Sequence, residues 1–447
     1  MADIREALQS EEEQGMREAF ENQAEEVLEN EERYKKSHDD FRIGLETEYP
    51  AVDEDFEPID REVRNQVIEG LDFADVEVGG SQIELRTDPM RPDSLAELEN
   101  EMRSIEADLQ DEAAVRDVNV LRAATNPFVN LESIERTDQP KYDRVPSFHN
   151  QYRNSDVQDR FGRDQTIDPH NAGLPAAINS TQVNVEAQSL EDAVHKANYT
   201  YMMSPFLSAI SGNARFLDGK DLGFSDIRMP LWEKSHDIRT DEQLGEETMP
   251  VGKIGSYFEE IEDYFSRAQD LPFVLHDEEE ALDIGIGTFW KDTRIKFPDF
   301  YEEDGYSAVV ESRIVSTQPT LEEEVAMHGF FLGRLSYAQE EDENLMEIEK
   351  VNRNRYAAMH NGLETKLYGT DGELRDATEV LEEELDKAKI GLEYAGIEDT
   401  GYMDLLYDRL DEGTPADLMA EGFNNALQEG LDREQALKRG LDYQVKQ

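Results

Sequence analysis

Acidic residues outnumber basic ones by more than two to one, 104 Asp and Glu against 44 Lys and Arg, for a formal net charge of −60. That much like charge repels itself in dilute buffer and works against any compact state. At 1 M salt the screening length falls to about 3 Å and the repulsion is largely lost. The charge therefore points to a chain that folds and works in molar salt. Lysine is the scarcer cation, 15 against 29 Arg. The rival reading is an acidic, disordered interaction protein. Against it stand 38% hydrophobic residues, with 19 Phe and 17 Tyr spread along the sequence, enough for a substantial core. An acidic field also argues against a nucleic-acid partner, because phosphate binding needs basic surface.

Cysteine is absent, which excludes disulfides, thiolate nucleophiles and Cys-based zinc sites. No run of about 18 apolar residues suggests a membrane span. Residues 1–30 are acidic and lack an apolar signal core, so a cytoplasmic location is expected.

At 447 residues the chain is long enough for one large domain with extensions, or for two domains. Residues 1–37 read as an amphipathic helical lead-in whose Glu runs, Glu11–Glu13 and Glu31–Glu32, are solvated faces. FRIGLETEYP (41–50) and SQIELRT (81–87) alternate apolar and polar residues and read as strands, with helices over 60–73 and 93–116, the second capped near Asp93 and Ser94. VNVLRAATNPF (118–128) reads as a strand running into a turn at Asn126–Pro127. Residues 138–175 read as a long loop or short helices, and AINSTQVNVEA (177–187) as a strand. A helix capped by Ser189 and kinked at Pro205 follows. Residues 212–240 look irregular; a helix is expected over 253–268 and strands over 290–297 and 311–319. Helices are expected near 320–340, 343–362, 373–395 and 415–445. Strands separated by helices, without Gly-rich βαβ turns, define an α+β class with an antiparallel sheet.

Period two puts Glu46 and Glu48 on one strand face, with Leu45, Thr47 and Tyr49 on the other. Like charges side by side on a sheet repel unless a cation lies between them. Glu84 sits in a second alternating strand, and Glu311 and Arg313 share a face of a third. Four carboxylates from three strands suit an all-oxygen Mg²⁺ site, and Arg313 beside them suits a phosphoryl or carboxylate group. Solvated edge acids and a cross-strand Glu–Arg pair are the ordinary alternatives. Gln182 and Asn184 share a face too; their amides either orient a polar substrate or satisfy one another. There is no GxxxxGK[ST] loop, no GxGxxG and no HExxH; His149, His170 and His360 read as structural or exposed residues.

Taken in order, these segments resemble the carboxylate–amine ligases of the second glutamate–cysteine ligase type. The resemblance runs from about Phe41 to Leu363 through IGLETEY, SQIELRT and INSTQVNVEA. Its most specific stretch is AISGNARFLDGKDLGFSDIRMPLWEKSHDIRT (209–240), where Asn213, Phe216, Gly219, Asp221, Gly223, Arg228 and Trp232 stand at family positions. FWKDTRIKFP, AVVESRIVSTQPT and NRYAAMHNGLE complete it. One departure is Gln182, where members often carry His.

The resemblance implies a curved antiparallel sheet forming a funnel like that of glutamine synthetase, with helices packed outside. A catalytic unit over 38–365 is expected, between the lead-in and an acidic helical C-terminal extension (366–447) packed on it; the lead-in and the extension match no family motif. It implies Glu46, Glu48, Glu84 and Glu311 as ligands of Mg²⁺ (or Mn²⁺), with ATP as co-substrate and glutamate and cysteine as substrates. Arg313 would steady the transferring phosphoryl group, and Arg294 and Arg228 would bind carboxylate or phosphate. Trp232 and Trp290 would line the substrate site. Another amine in place of cysteine, or a non-catalytic relative that binds glutamate or nucleotide, is the alternative. A homo-oligomer is compatible with this reading.

Overall fold

The computed structural model describes residues 8–36, 42–152, 160–163, 165–169, 173–238, 251–298, 300 and 306–445. His170 and the end of the 209–240 stretch lie outside the described residues.

The main sheet is built from β1 (Ile43–Val52), β2 (Ala74–Val76), β3 (Gln82–Arg86), β4 (Asn119–Val120) and β5 (Thr181–Glu186), joined later in the chain by two more strands. Between them falls a small hairpin, β6 (Phe216–Leu217) and β7 (Lys220–Asp221), which turns through Gly219 at φ 66°. The two late strands are β8 (Thr293–Lys296) and β9 (Val309–Ser312), and a second hairpin, β10 (Lys366–Tyr368) and β11 (Leu374–Asp376), closes the set. The sheet runs β2-β3-β1-β5-β9-β8, with β4 on the far end of β1, and every pairing in it is antiparallel. The α+β class with an antiparallel sheet is therefore what the chain adopts. The sheet is open, with β2 and β8 at its ends.

Alternation gives the sheet two chemically distinct faces. Leu45, Thr47, Tyr49, Ile83, Leu85, Val183, Val185, Ile295 and Val310 are buried on one. That face is covered by the helices Leu190–Ser211 and Leu321–Glu340, and toward β3 by Leu95–Ala114. Ser189 caps the first helix as expected, accepting a hydrogen bond from Asp192 N, and the helix is buried on all sides from Thr200 to Ser211. Such all-round burial marks the central helix of a layered core. Two polar ties fix the layers: Thr47 Oγ1 donates to Glu324 Oε1 at 2.8 Å, and Arg122 joins Glu324 to Glu106.

The flanking regions pack into the same body. The lead-in helix Glu11–Glu29 buries Met16, Phe20, Ala24 and Val27, and Phe20 meets Phe265 and Phe273 edge to face. Glu11 and Glu12 are solvated as expected, but Glu13 is 3% exposed. Its carboxylate accepts from Arg17 at 2.8 Å and from the backbone N–H of Phe273 at 3.1 Å, which replaces the water it gives up. The helix Ala377–Ala395 crosses Leu321–Glu340 at a glycine contact. A Cβ on Gly391 would overlap the carbonyl oxygen of Gly333, and one on Gly333 that of Ala388. Buried Arg334 binds Glu384 and Glu343 across the same junction.

Some elements differ from expectation. Residues 138–175 contain the helix Pro140–Tyr152, and 212–240 the hairpin β6–β7 with the short helix Arg228–Ser235. The expected 253–268 helix starts only at Ile261, and the strand expected over 311–319 ends at Ser312. The single helix expected over 415–445 is two, Pro415–Gln428 and Arg433–Val445, separated at Gly430 with φ 91°. A helix over Tyr402–Glu412 was not foreseen.

Candidate active site

The second face of the sheet carries the polar residues singled out in the sequence, and strand register decides which of them meet. Glu48 lies opposite Glu84 across β1–β3, and Glu46 opposite Gln182 across β1–β5. Asn184 lies opposite Glu311, which lies in turn opposite Arg294.

These acids divide into two groups with opposite surroundings. In the first, Glu48, Glu84 and a residue not anticipated, Glu77, bring carboxylate oxygens within 4.8 Å of one another. Among the described residues, none of the three forms an ion pair with Lys or Arg. Glu48 accepts hydrogen bonds from Ser180 N at 2.7 Å and from Gln182 Nε2 at 3.2 Å, so the Gln182 amide serves to hold it. Burial, and then the charge of Glu77, push the Glu48 carboxyl up to about 8. Glu84 is raised well above the ordinary range by burial and by Glu77, Glu46 and Glu48. Burial raises Glu77 as well. Three half-buried carboxylates that no described Lys or Arg contacts as an ion pair fit a hard, oxygen-seeking divalent ion.

In the second group, Glu311 is 0% exposed and surrounded by cations. Arg294 donates to it through Nε at 2.9 Å and Nη2 at 3.0 Å, Lys296 Nζ lies at 2.7 Å, and Arg313 Nε at 3.4 Å. Burial alone would raise its carboxyl, but Arg294, Lys296 and Arg313 outweigh it and hold Glu311 well below the usual range. Glu46 belongs to this group too, receiving Lys296 Nζ at 3.2 Å and Asn184 Nδ2 at 3.0 Å. Of the four acids expected to share one metal site, Glu48 and Glu84 meet with Glu77, while Glu46 and Glu311 stand on the same sheet face, joined through Lys296.

Two clefts open on this face. The first is lined by Glu48, Glu77, Arg313, Trp232, Trp290 and Lys291. Two buried donors beside it have no hydrogen-bond acceptor among the described residues, Arg313 Nη1 and Trp232 Nε1. Trp232 and Trp290 pack with ring centroids 5.7 Å apart, and His236 and His149 extend the aromatic wall. Burial lowers the Lys291 ammonium to about 7. Arg228 also lines this cleft, but its guanidinium is engaged by Asp226 at 2.8 Å and by the carbonyls of Val315 and Asn179. It braces the wall and has its donors committed. The second cleft is lined by Arg42, Arg86, Lys296, Glu46, Asn184 and Ser307.

Glu77 and Lys296 escaped the sequence reading, although each had a signal. Asp75 and Glu77 alternate with Val76 and Val78 as Glu46 and Glu48 do with their neighbours, and Lys296 is two residues from Arg294. His149, expected to be structural or exposed, is buried beside Trp290, where its Nδ1 meets the carbonyl of Val145 at 2.8 Å.

This antiparallel scaffold has known counterparts. Residues 42–436 match the model of glutamate–cysteine ligase family 2, and the chain belongs to that family. A chloroplastic glutamate–cysteine ligase of Medicago truncatula is 24% identical over 280 residues, 57% of this chain and 52% of that protein. The chain thus matches about half the length of this curated relative. Among solved structures, glutamate–cysteine ligase of Francisella tularensis in complex with AMP shares the fold, with a TM-score of 0.58 at 13% identity, covering 93% of this chain and 90% of that one. Among the described residues, no helix is long and apolar enough to cross a membrane.

Proposed function

We propose that the chain is a cytoplasmic, ATP-dependent ligase that joins the γ-carboxylate of glutamate to the amine of cysteine in a salt-rich cell. The observation that carries this reading is the cleft in which Glu48 and Glu77, grouped with Glu84 in a carboxylate trio, face Arg313, whose Nη1 donor has no acceptor among the described residues. Membership of the family, and the names of the plant and Francisella relatives, support the choice of substrates.

A free carboxylate is a poor acyl donor, because its leaving group would be oxide. Transfer of the γ-phosphoryl group of ATP to a γ-carboxylate oxygen of glutamate gives γ-glutamyl phosphate and ADP. The amine of cysteine then attacks the acyl carbon of that γ-carboxyl group (Cδ of glutamate), the bond from that carbon to the phosphate oxygen breaks, and phosphate leaves as the amine gives up a proton. Both steps concentrate charge on phosphoryl oxygens, so catalysis rests on placed positive charge.

Glu48, Glu77 and Glu84 are the residues that would hold Mg²⁺ (or Mn²⁺), which supplies positive charge beside those oxygens. Arg313 offers its free Nη1–H donor to the same group. Arg294 fixes Glu311, and through it the position of Arg313. The cleft of Arg42, Arg86 and Lys296 has the charge for a polyphosphate. The cleft walled by Trp232 and Trp290 suits the amino-acid substrates, with the Trp232 indole N–H as a donor to carboxylate.

Phosphate release from ATP in molar KCl with Mg²⁺, glutamate and a panel of amines tests the proposal. Turnover with cysteine, and little with ammonia or other amino acids, is the expected result. Preference for another amine keeps the ligase and changes the acceptor. Binding of ATP or glutamate without turnover on any amine favours the non-catalytic reading.

A further inference from the structure

The two groups of acids on the sheet face differ in charge balance. Glu48, Glu77 and Glu84 form no ion pair with a basic residue among those described. Glu46 and Glu311, two acids, are met by three bases, Arg294, Lys296 and Arg313. Glu46 and Glu311 are thus compensated by direct contacts with no ion added, while Arg313 also faces Glu48 and Glu77 in the first cleft.

We propose that Lys296 is a built-in cation that takes the place of a metal ion between Glu46 and Glu311, so that the metal centre is confined to Glu48, Glu77 and Glu84. This deepens the reading of the site as a metal-dependent ligase and rests on it. The Lys296 ammonium bridges the two acids, 3.2 Å from Glu46 Oε1 and 2.7 Å from Glu311 Oε1. Both oxygens of Glu311 are already engaged, Oε2 by Arg294 and Arg313 and Oε1 by Arg294 and Lys296. An incoming dication would have to break charge-assisted hydrogen bonds and then sit beside guanidinium groups that cannot shed their protons.

The sheet delivers this cation. Lys296 pairs with Val309 and Arg294 with Glu311 in the β8–β9 register, so both side chains rise from the same strand face. An ammonium has three donors. Two reach Glu46 and Glu311, which leaves one for a ligand in the cleft that Lys296 lines with Arg42 and Arg86. Unlike a metal ion, this charge cannot be lost to a chelator.

The test counts Mn²⁺ bound to the nucleotide-free, full-length protein in molar KCl, by the electron paramagnetic resonance signal of the free ion. Wild type, Glu84→Gln, Glu46→Gln, Lys296→Met and Lys296→Arg are compared, each shown to be folded by circular dichroism. Glu46→Gln should leave the number of tightly bound ions unchanged from wild type. Lys296→Met should gain one ion, because it exposes two uncompensated acids, and Lys296→Arg should gain none. Loss of a tight ion in Glu46→Gln, or no gain in Lys296→Met, overturns the proposal. Failure of the metal-site reading shows separately, as a wild-type ion count that Glu84→Gln does not lower.

Discussion

Glu48 and Glu84 face each other directly across the β1–β3 register, with no basic partner among the described residues. Holding these two acids together without a cation costs roughly 1 kcal/mol in the metal-free protein, as mutual repulsion or as the protonation it forces. Glu84→Gln should therefore raise the metal-free melting temperature while removing the stabilisation that Mg²⁺ gives the wild type. Thermal melts with EDTA and with excess Mg²⁺ read both effects. An unchanged Mg²⁺-induced shift in the variant would show that the ion binds elsewhere.

Glu311 is expected to behave in the opposite way. It is the shared counter-ion of Arg294, Lys296 and Arg313, and neutralising it leaves buried positive charge unpaired. Glu311→Gln should cost about 3–5 kcal/mol of stability as well as turnover. Denaturant unfolding in molar KCl measures this; a loss under about 1 kcal/mol would contradict the charge balance described.

The junction between Leu321–Glu340 and Ala377–Ala395 has no room for a methyl group at Gly391 or Gly333. Either glycine replaced by alanine should destabilise the protein by roughly 1–3 kcal/mol through overpacking. Gly396→Ala serves as a comparison for packing, because no atom lies within 4 Å of a Cβ there and its cost comes from a φ of +72°. Equal stability of Gly391→Ala and wild type in the same unfolding assay would refute the close crossing.

His328 is fully buried under β5, with Nε2 3.4 Å from Thr181 Oγ1. Burial, and then Arg122, lower it from its ordinary 6.5 to about 3. Between those values the unfolded chain binds a proton that the folded chain refuses, so stability falls as pH falls from 6.5 toward 3 and is intact above 6.5. The slope from this one group is at most about 1.4 kcal/mol per pH unit. His328→Gln should remove this group's share of the slope between pH 6.5 and 5, read as the difference between the variant and wild-type profiles. An identical slope in the variant would assign the acid sensitivity elsewhere.

Salt provides the broadest test. With a net charge of −60, melting temperature and activity should both climb as KCl rises from 0.1 M to several molar. A protein equally stable in dilute buffer would remove the basis for the salt-rich reading.

What the sequence revealed, and what it hid, follows the length of the elements. β1, β3 and β5 are half-buried strands of five to ten residues, long enough for period two to separate acids from core. Ser189 and Ser94 announce their helices because a cap is a local interaction. Glu77 was missed because its alternation with Val76 and Val78 is short: β2 has three residues, Glu77 follows directly after it, and its place beside Glu48 and Glu84 comes from the pairing of β2 with β3. Lys296 was missed because its meaning depends on the pairing of β8 with β9, which lie on either side of residues 297–308. The early end of β9 has the same kind of cause: Arg313 N turns aside to the carbonyl of Asp292. The division of four acids into two groups depends on which cation each one meets, and that is decided by the register of strands distant in sequence.

β1 spells the core and the cleft alternately, letter by letter, with Leu45, Thr47 and Tyr49 turned inward and Glu46 and Glu48 outward. Losing or gaining one residue between Gly44 and Pro50 would exchange the two sets, driving carboxylates into the hydrophobic layer and leucine and tyrosine into the cleft. The strand can thus drift in composition but not in length, and indels along the descent of this chain should collect in its connecting loops and spare these few residues.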